Sequence, residues 1–100
     1  MTRISPSIID VYTTSRVVED LSPVAITDTE TTATFTSRRK SGVVFNYGPN
    51  DVHVAFDTTV TTNNFIIPSK WSLQFVFPVL TLHFICAAGQ NATLYILGER

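Results

Sequence analysis

The sequence has a single cysteine in 100 residues, so no disulfide within the chain can staple the fold. It has two histidines, and His53, His83 and Cys86 lack the paired close spacing of a structural zinc site. No metal site and no cofactor are expected. Charge is scarce as well. Only 15% of residues are charged and the net charge is -1, which leaves no row of Lys and Arg to neutralise phosphates, so nucleic acid is not an expected partner. The start Met1-Thr2-Arg3-Ile4-Ser5-Pro6 has a positive charge but no apolar stretch of signal-peptide length behind it. Synthesis in a reducing cytoplasm, without export by that route, is the expectation.

Helix signals are missing too. No window sustains apolar residues at i, i+3, i+4 and i+7, and about a third of the chain is Thr, Val or Ile, whose branched side chains fit a pleated surface better than a helix. One run imitates a membrane span: Trp71 to Ala88 carries no Asp, Glu, Lys or Arg. Ser72, Gln74, Pro78 and His83 interrupt it and its apolar residues alternate, so a buried β-hairpin is predicted there instead of a span, and no membrane partner is expected.

What is present is alternation with period two. From Gly42 to Phe56, Val43, Phe45 and Tyr47 project to one side and Asn46 to the other. Gly48-Pro49-Asn50-Asp51 supplies turn chemistry, and Val52, Val54 and Phe56 alternate on the return, which predicts a half-buried hairpin. A Thr-rich connection, Thr58 to Asn64, leads to a short strand Phe65-Ile66-Ile67 ended by Pro68. Trp71, Leu73, Phe75 and Phe77 then share a face and mark the core. A second hairpin is predicted from Thr81–Ala87 and Ala92–Leu97 around Ala88-Gly89-Gln90-Asn91. Its strands are apolar on both faces, so Tyr95 and Leu97 call for a cover beyond the core.

The first forty residues are thinner in apolar content. Weaker strands are predicted at Ile8–Tyr12, Arg16–Val18, Val24–Thr27 and Thr31–Thr36, as edge strands and an arm lying along the sandwich or along another subunit. The predicted fold class is all-β, an antiparallel β-sandwich or jelly-roll-like domain with an N-terminal arm. Residues 1–34 form the arm and edge strands and residues 35–100 the sandwich core, within one domain.

Chemistry is sparse. His53 lies between Asp51 and Asp57, the composition of a hydrolytic site, but a solvated histidine near turn acids explains it. His83 and Cys86 stand three residues apart on a strand, which places them on opposite faces, so Cys86 reads as a small core hydrophobe. No catalytic residue is assigned. Ser37-Arg38-Arg39-Lys40-Ser41 is the basic cluster, either a solvated turn or a docking contact for an acidic partner. Arg38, Arg39, Lys40, Tyr95 and Leu97 are the candidate interface residues. Asn91-Ala92-Thr93 matches a glycosylation acceptor, though a hairpin loop accounts for the Asn. Tyr12, Tyr47, Tyr95 and Trp71 could stack on sugars if exposed in a row; as strand residues they read as core or interface anchors.

From Arg38 to Phe56 the order is a strand, Asn46-Tyr47-Gly48, a short turn and Asp51-Val52-His53-Val54-Ala55-Phe56. Thr59-Val60-Thr61-Thr62, Phe65-Ile66-Ile67-Pro68, Ser72-Leu73-Gln74-Phe75, then Leu82–Ala88, Gly89 and Ala92–Leu97 follow. This order, over roughly residues 35–98, resembles small β-sandwich structural proteins of tailed-phage virions. Ser69-Lys70 stands where that pattern has a Gly-rich turn, and the N-terminal section is longer. The resemblance implies a non-enzymatic homo-oligomer, a trimer foremost, attached to a major capsid protein as a decoration or cement protein of the virion, made in the host cytoplasm. A tail or fibre component, or a carbohydrate- or receptor-binding tip module, is the alternative it implies.

Overall fold

The computed structural model describes residues 18–99. Nine strands run through them: β1 (Val18–Asp20), β2 (Val24–Ile26), β3 (Thr31–Arg39), β4 (Ser41–Pro49), β5 (Val52–Phe56), β6 (Phe65–Ile67), β7 (Ser72–Phe75), β8 (Val79–Ile85) and β9 (Ala92–Glu99). All pairings are antiparallel, in two sheets. The larger sheet has the order β1-β9-β4-β7, with β2 also on β9, and the smaller has β3-β8-β5-β6. The predicted all-β antiparallel sandwich is the fold.

Alternation decides what the sheets bury. Val44 of β4 and Leu94 and Ile96 of β9 point inward from the larger sheet, and Val54 of β5 and Leu82 and Phe84 of β8 point inward from the smaller one. Two facing sheets let each apolar face cover the other, which an isolated hairpin cannot do. At about 25 cal/mol per Å² this burial is the main stabilising contribution. Cys86 lies in the same core and His83 faces away from it, as the three-residue spacing requires.

Neither predicted hairpin forms. β4 belongs to the larger sheet and β5 to the smaller, and β8 and β9 are likewise in different sheets. Their turns are arches from one sheet to the other. Alternation is identical in a strand that returns beside its neighbour and in one that crosses the core, so the pattern cannot distinguish them. Under the first arch Asn46 is fully buried. Its Nδ2 donates to the carbonyls of Asn50 and Ile67, both at 2.9 Å, and its Oδ1 accepts the Gly48 N–H at 2.8 Å. The run Trp71 to Ala88 is divided between β7 and β8, again in opposite sheets, so it too is not a hairpin. Among the described residues no helix is long and apolar enough to cross a membrane.

The core row read from Trp71 to Phe77 is shorter than expected. β7 spans only Ser72–Phe75; Phe75 is buried and Leu73 packs against the core, but Trp71 and Phe77 are exposed. Both lie beyond the ends of that edge strand. Phe77 meets Phe56 edge-on, with centroids 5.0 Å apart. β2 and β3 are edge strands as predicted, but β3 runs unbroken across the boundary placed between residues 34 and 35. The predicted strand Ile8–Tyr12, and Arg16 and Val17 of the next, lie outside the described residues.

Candidate interaction surface

β6 is one free edge of the smaller sheet and β7 one free edge of the larger. The chain passes from one to the other through Pro68-Ser69-Lys70-Trp71, so both free edges border one side of the sandwich. The turn is tied down: the Trp71 N–H donates to the Pro68 carbonyl, Lys70 N–H to the Asn46 carbonyl, and Asn46 N–H to the Trp71 carbonyl. Lys70 adopts a positive φ of 72° and Ser69 N–H donates to an Asp51 carboxylate oxygen.

Along this margin the sandwich is open. Phe65 pairs with Val54 and so shares its inward face, yet Phe65 is 61% exposed while Val54 is buried. Trp71 has the inward parity of Leu73 and Phe75 and is 66% exposed. Phe65, Ile66, Pro68, Trp71 and Leu73 line a groove of ≈ 360 Å³ here. Core-facing aromatics left uncovered beside two unpaired strand edges form a surface of the kind that takes a partner.

The outer face of the larger sheet is also apolar. Tyr95 and Leu97 point outward and are exposed, as their alternation predicted. Phe45 pairs with Tyr95 and Val43 with Leu97, so these side chains form one stripe. Tyr47 extends it, meeting Phe45 and Tyr95 edge-on with centroids 6.5 and 6.0 Å away. The Lys70 ammonium sits 3.9 Å from the Tyr47 ring centroid and donates to the Tyr47 carbonyl at 2.6 Å. At the other end of the stripe a groove of ≈ 180 Å³ is lined by Val18, Ser41, Val43, Gln74 and Leu97 among others.

The basic cluster does not act as a unit. Arg38 is exposed and pairs with Asp57 at 2.9 Å, and Lys40 is exposed, but the Arg39 side chain is only 3% exposed. Arg39 reaches Glu19 of β1, whose carboxylate also accepts the Thr36 N–H of β3 at 3.0 Å and the Thr36 hydroxyl at 3.1 Å. Glu19 therefore bridges the two sheets and satisfies a backbone donor of edge strand β3. The Arg39 guanidinium, first, then the Thr36 donors hold the Glu19 carboxyl below its usual range against the cost of burial. No sequence signal distinguishes Arg39 from its neighbours; its partner lies twenty residues away.

His53 is buried, not solvated, and its Nδ1 lies 3.1 Å from the Asn64 carbonyl. Asp51 and Asp57 have other work. Asp57, at φ 58°, accepts N–H groups of Leu80 and Thr81 at 3.1 and 2.8 Å. Partial burial pushes its carboxyl up, but those two amides and the Arg38 guanidinium outweigh it and the net shift is downward. His83 faces Glu30 through its Nδ1. Burial and the charges of Asp28 and Asp51 push the Cys86 thiol up, opposing thiolate formation. Among the described residues no group of three His, Cys, Asp or Glu side chains is placed to hold a metal ion. Asn91 is exposed in the arch between β8 and β9.

No family model, no curated protein and no solved structure matches this chain.

Proposed function

We propose that this protein is a non-catalytic structural subunit that works by association, closing the open margin of its sandwich against another copy of itself. The observation that carries the reading is the exposure of Phe65 and Trp71, two aromatics of inward parity beside the free edges of β6 and β7. Burying a few hundred Å² of such surface contributes several kcal/mol at about 25 cal/mol per Å², before association costs are subtracted. A sandwich this small gains more from that than a large one would.

The similarity of residues 35–98 to phage virion β-sandwich proteins supports a specific form of the reading: a symmetric homo-oligomer, a trimer foremost, decorating or cementing a capsid shell in the virion. A tail or fibre position is the variant of the same form. Recognition of a carbohydrate or receptor is the second reading, supported by the exposed rings of Tyr47, Tyr95 and Trp71. The Lys70 ammonium over the Tyr47 ring competes with a sugar for that ring.

Sedimentation velocity over a micromolar concentration range tests the association. The full chain should sediment as an oligomer, and Phe65→Ser with Trp71→Ser should sediment as a monomer with an unchanged circular dichroism spectrum. A full chain that stays monomeric throughout would overturn the reading, and glycan-array binding lost in Tyr95→Ala would favour the second.

A further inference from the structure

We infer that β7 is a self-pairing edge: two copies of the chain join it to itself, antiparallel and centred on Gln74, so that the larger sheet continues from one molecule into the next across a two-fold axis. The inference rests on the reading that this margin meets another copy, and it specifies a two-fold dimer there rather than a trimer.

The backbone sets the phase of the pairing. Asn46 N–H donates to the Trp71 carbonyl, and the β4–β7 register carries the same phase on to Val44 with Leu73 and Gly42 with Phe75. The N–H and C=O groups of Leu73 and Phe75 therefore point to β4. Those of Ser72, Gln74 and Val76 point to the free edge, where no described strand meets them. A strand added to that edge bonds to these residues. When it is the same strand, antiparallel about Gln74, Gln74 opposes Gln74 and Ser72 opposes Val76, and each is a hydrogen-bonded pair.

Side chains select the centre. Trp71 and Phe77 lie three residues to either side of Gln74, and Leu73 and Phe75 one residue to either side. All four have inward parity, and a two-fold axis perpendicular to the sheet keeps the inward faces of both copies on one side. Trp71 of each copy then lies across from Phe77 of the other, which covers two aromatics that are exposed in the single chain. Leu73 meets Phe75 in the same way.

Charge identifies a second copy as the occupant. No Asp, Glu, Lys or Arg lies between Trp71 and Phe77, so self-pairing sets no like charges against each other, and the adjacent Lys70 ammonium is turned back onto the Tyr47 carbonyl. The Gln74 amide carries both donors and an acceptor, so it complements its own copy on the axis. The other edge strands are guarded. β1, β2 and β6 are three residues long, and β3 has an irregular register between Thr34 and Arg39 with its Thr36 N–H taken by the Glu19 carboxylate.

Charge placed on the axis tests the pairing, because only a residue that opposes itself repels itself. In sedimentation over a micromolar range the full chain should form a dimer. Gln74→Lys and Gln74→Glu, at an exposed position, should each keep the parent's circular dichroism spectrum and raise the dimer dissociation constant about tenfold or more. An equimolar mixture of the two variants should dimerise as the parent does, since opposite charges then meet on the axis. Charge variants that associate as tightly as the parent, a mixture no tighter than its components, or a parent that forms trimers would overturn the two-fold pairing and leave association at the margin standing. A parent that stays monomeric overturns both and leaves the edge to a different chain.

Discussion

Gly42 of β4 stands directly opposite Gly98 of β9 in the larger sheet, and the rings of Phe75 and Phe35 occupy the inward space that two side chains would have filled. A Cβ on Gly42 would lie 2.4 Å from the Leu97 carbonyl oxygen and 2.5 Å from the Phe75 ring. On Gly98 it would lie 2.4 Å from the Phe35 ring and 2.9 Å from Arg39 Cγ. The two rings stand 6.5 Å apart, so they form one packed unit under the glycine pair. Gly98→Ala should cost about 1–3 kcal/mol through overpacking, and Gly42→Ala should cost more because backbone as well as a ring must shift. Urea denaturation measures both, and an unchanged midpoint for either would contradict this packing.

The bond between Glu19 and Arg39 carries a second expectation. Removing Glu19 leaves a guanidinium buried without its counter-charge, which costs about 3–5 kcal/mol in a protein interior and somewhat less here because Glu19 is 18% exposed. Nη1 of Arg39 already lacks a hydrogen-bond partner among the described residues. Arg39→Met removes the charge with most of the packing, so it should be the milder change. Thermal melts of Glu19→Ala and Arg39→Met should rank in that order; the reverse order would remove the ion pair from any structural role.

Asn46 joins three pieces of chain at once: the arch carbonyl of Asn50, the β6 carbonyl of Ile67 and the Gly48 amide. Asn46→Leu would strand those buried groups, at about 1–3 kcal/mol for each one left unsatisfied. Asn46→Asp keeps the acceptor but loses both donated bonds and buries a charge, so it should be no better tolerated. Chemical denaturation of the two variants checks this. The margin should loosen with them, read as faster amide exchange at Ile67 and Trp71.

Acid should destabilise the protein through Asp57 and Glu19. Both carboxyls are held below their usual range in the folded state, so their contribution is complete above the unfolded carboxylate range and fades as pH falls through the lowered folded values. Asp57→Asn keeps a residue that accepts positive φ but removes the charged acceptor for the Leu80 and Thr81 amides, and should cost about 1 kcal/mol near neutral pH. Its melting temperature should depend less on pH than that of the parent below about pH 5, where carboxylates begin to protonate. Parallel curves would remove Asp57 from the acid response.

Much of the sandwich was legible because a pleat forces its side chains to alternate. Leu82, Phe84, Cys86, Leu94 and Ile96 face the core, and Tyr95 and Leu97 face out, as their spacing requires. The arches were not legible, since the residues that turn a hairpin also turn a chain between sheets. Phe65 and Trp71 have the parity of core residues and become surface only because β6 and β7 are edges, a fact of topology with no local signature. In sequence Arg39 is indistinguishable from Arg38 and Lys40 in one charged turn, and its burial depends on Glu19, which comes from edge strand β1 of the other sheet.

Of the nine strands, only β5 and β6 are both consecutive in the chain and paired with each other. Every other ladder joins strands that are not consecutive in the chain, with β1 and β2 waiting for β9, which follows them by about seventy residues or more. Loop closure must therefore precede nearly all of the reward, the condition under which small β proteins take milliseconds to seconds to reach the native state. The nascent chain carries its unsatisfied ladders until Ala92 to Glu99 emerges, and its vulnerability to clumping is concentrated in that interval.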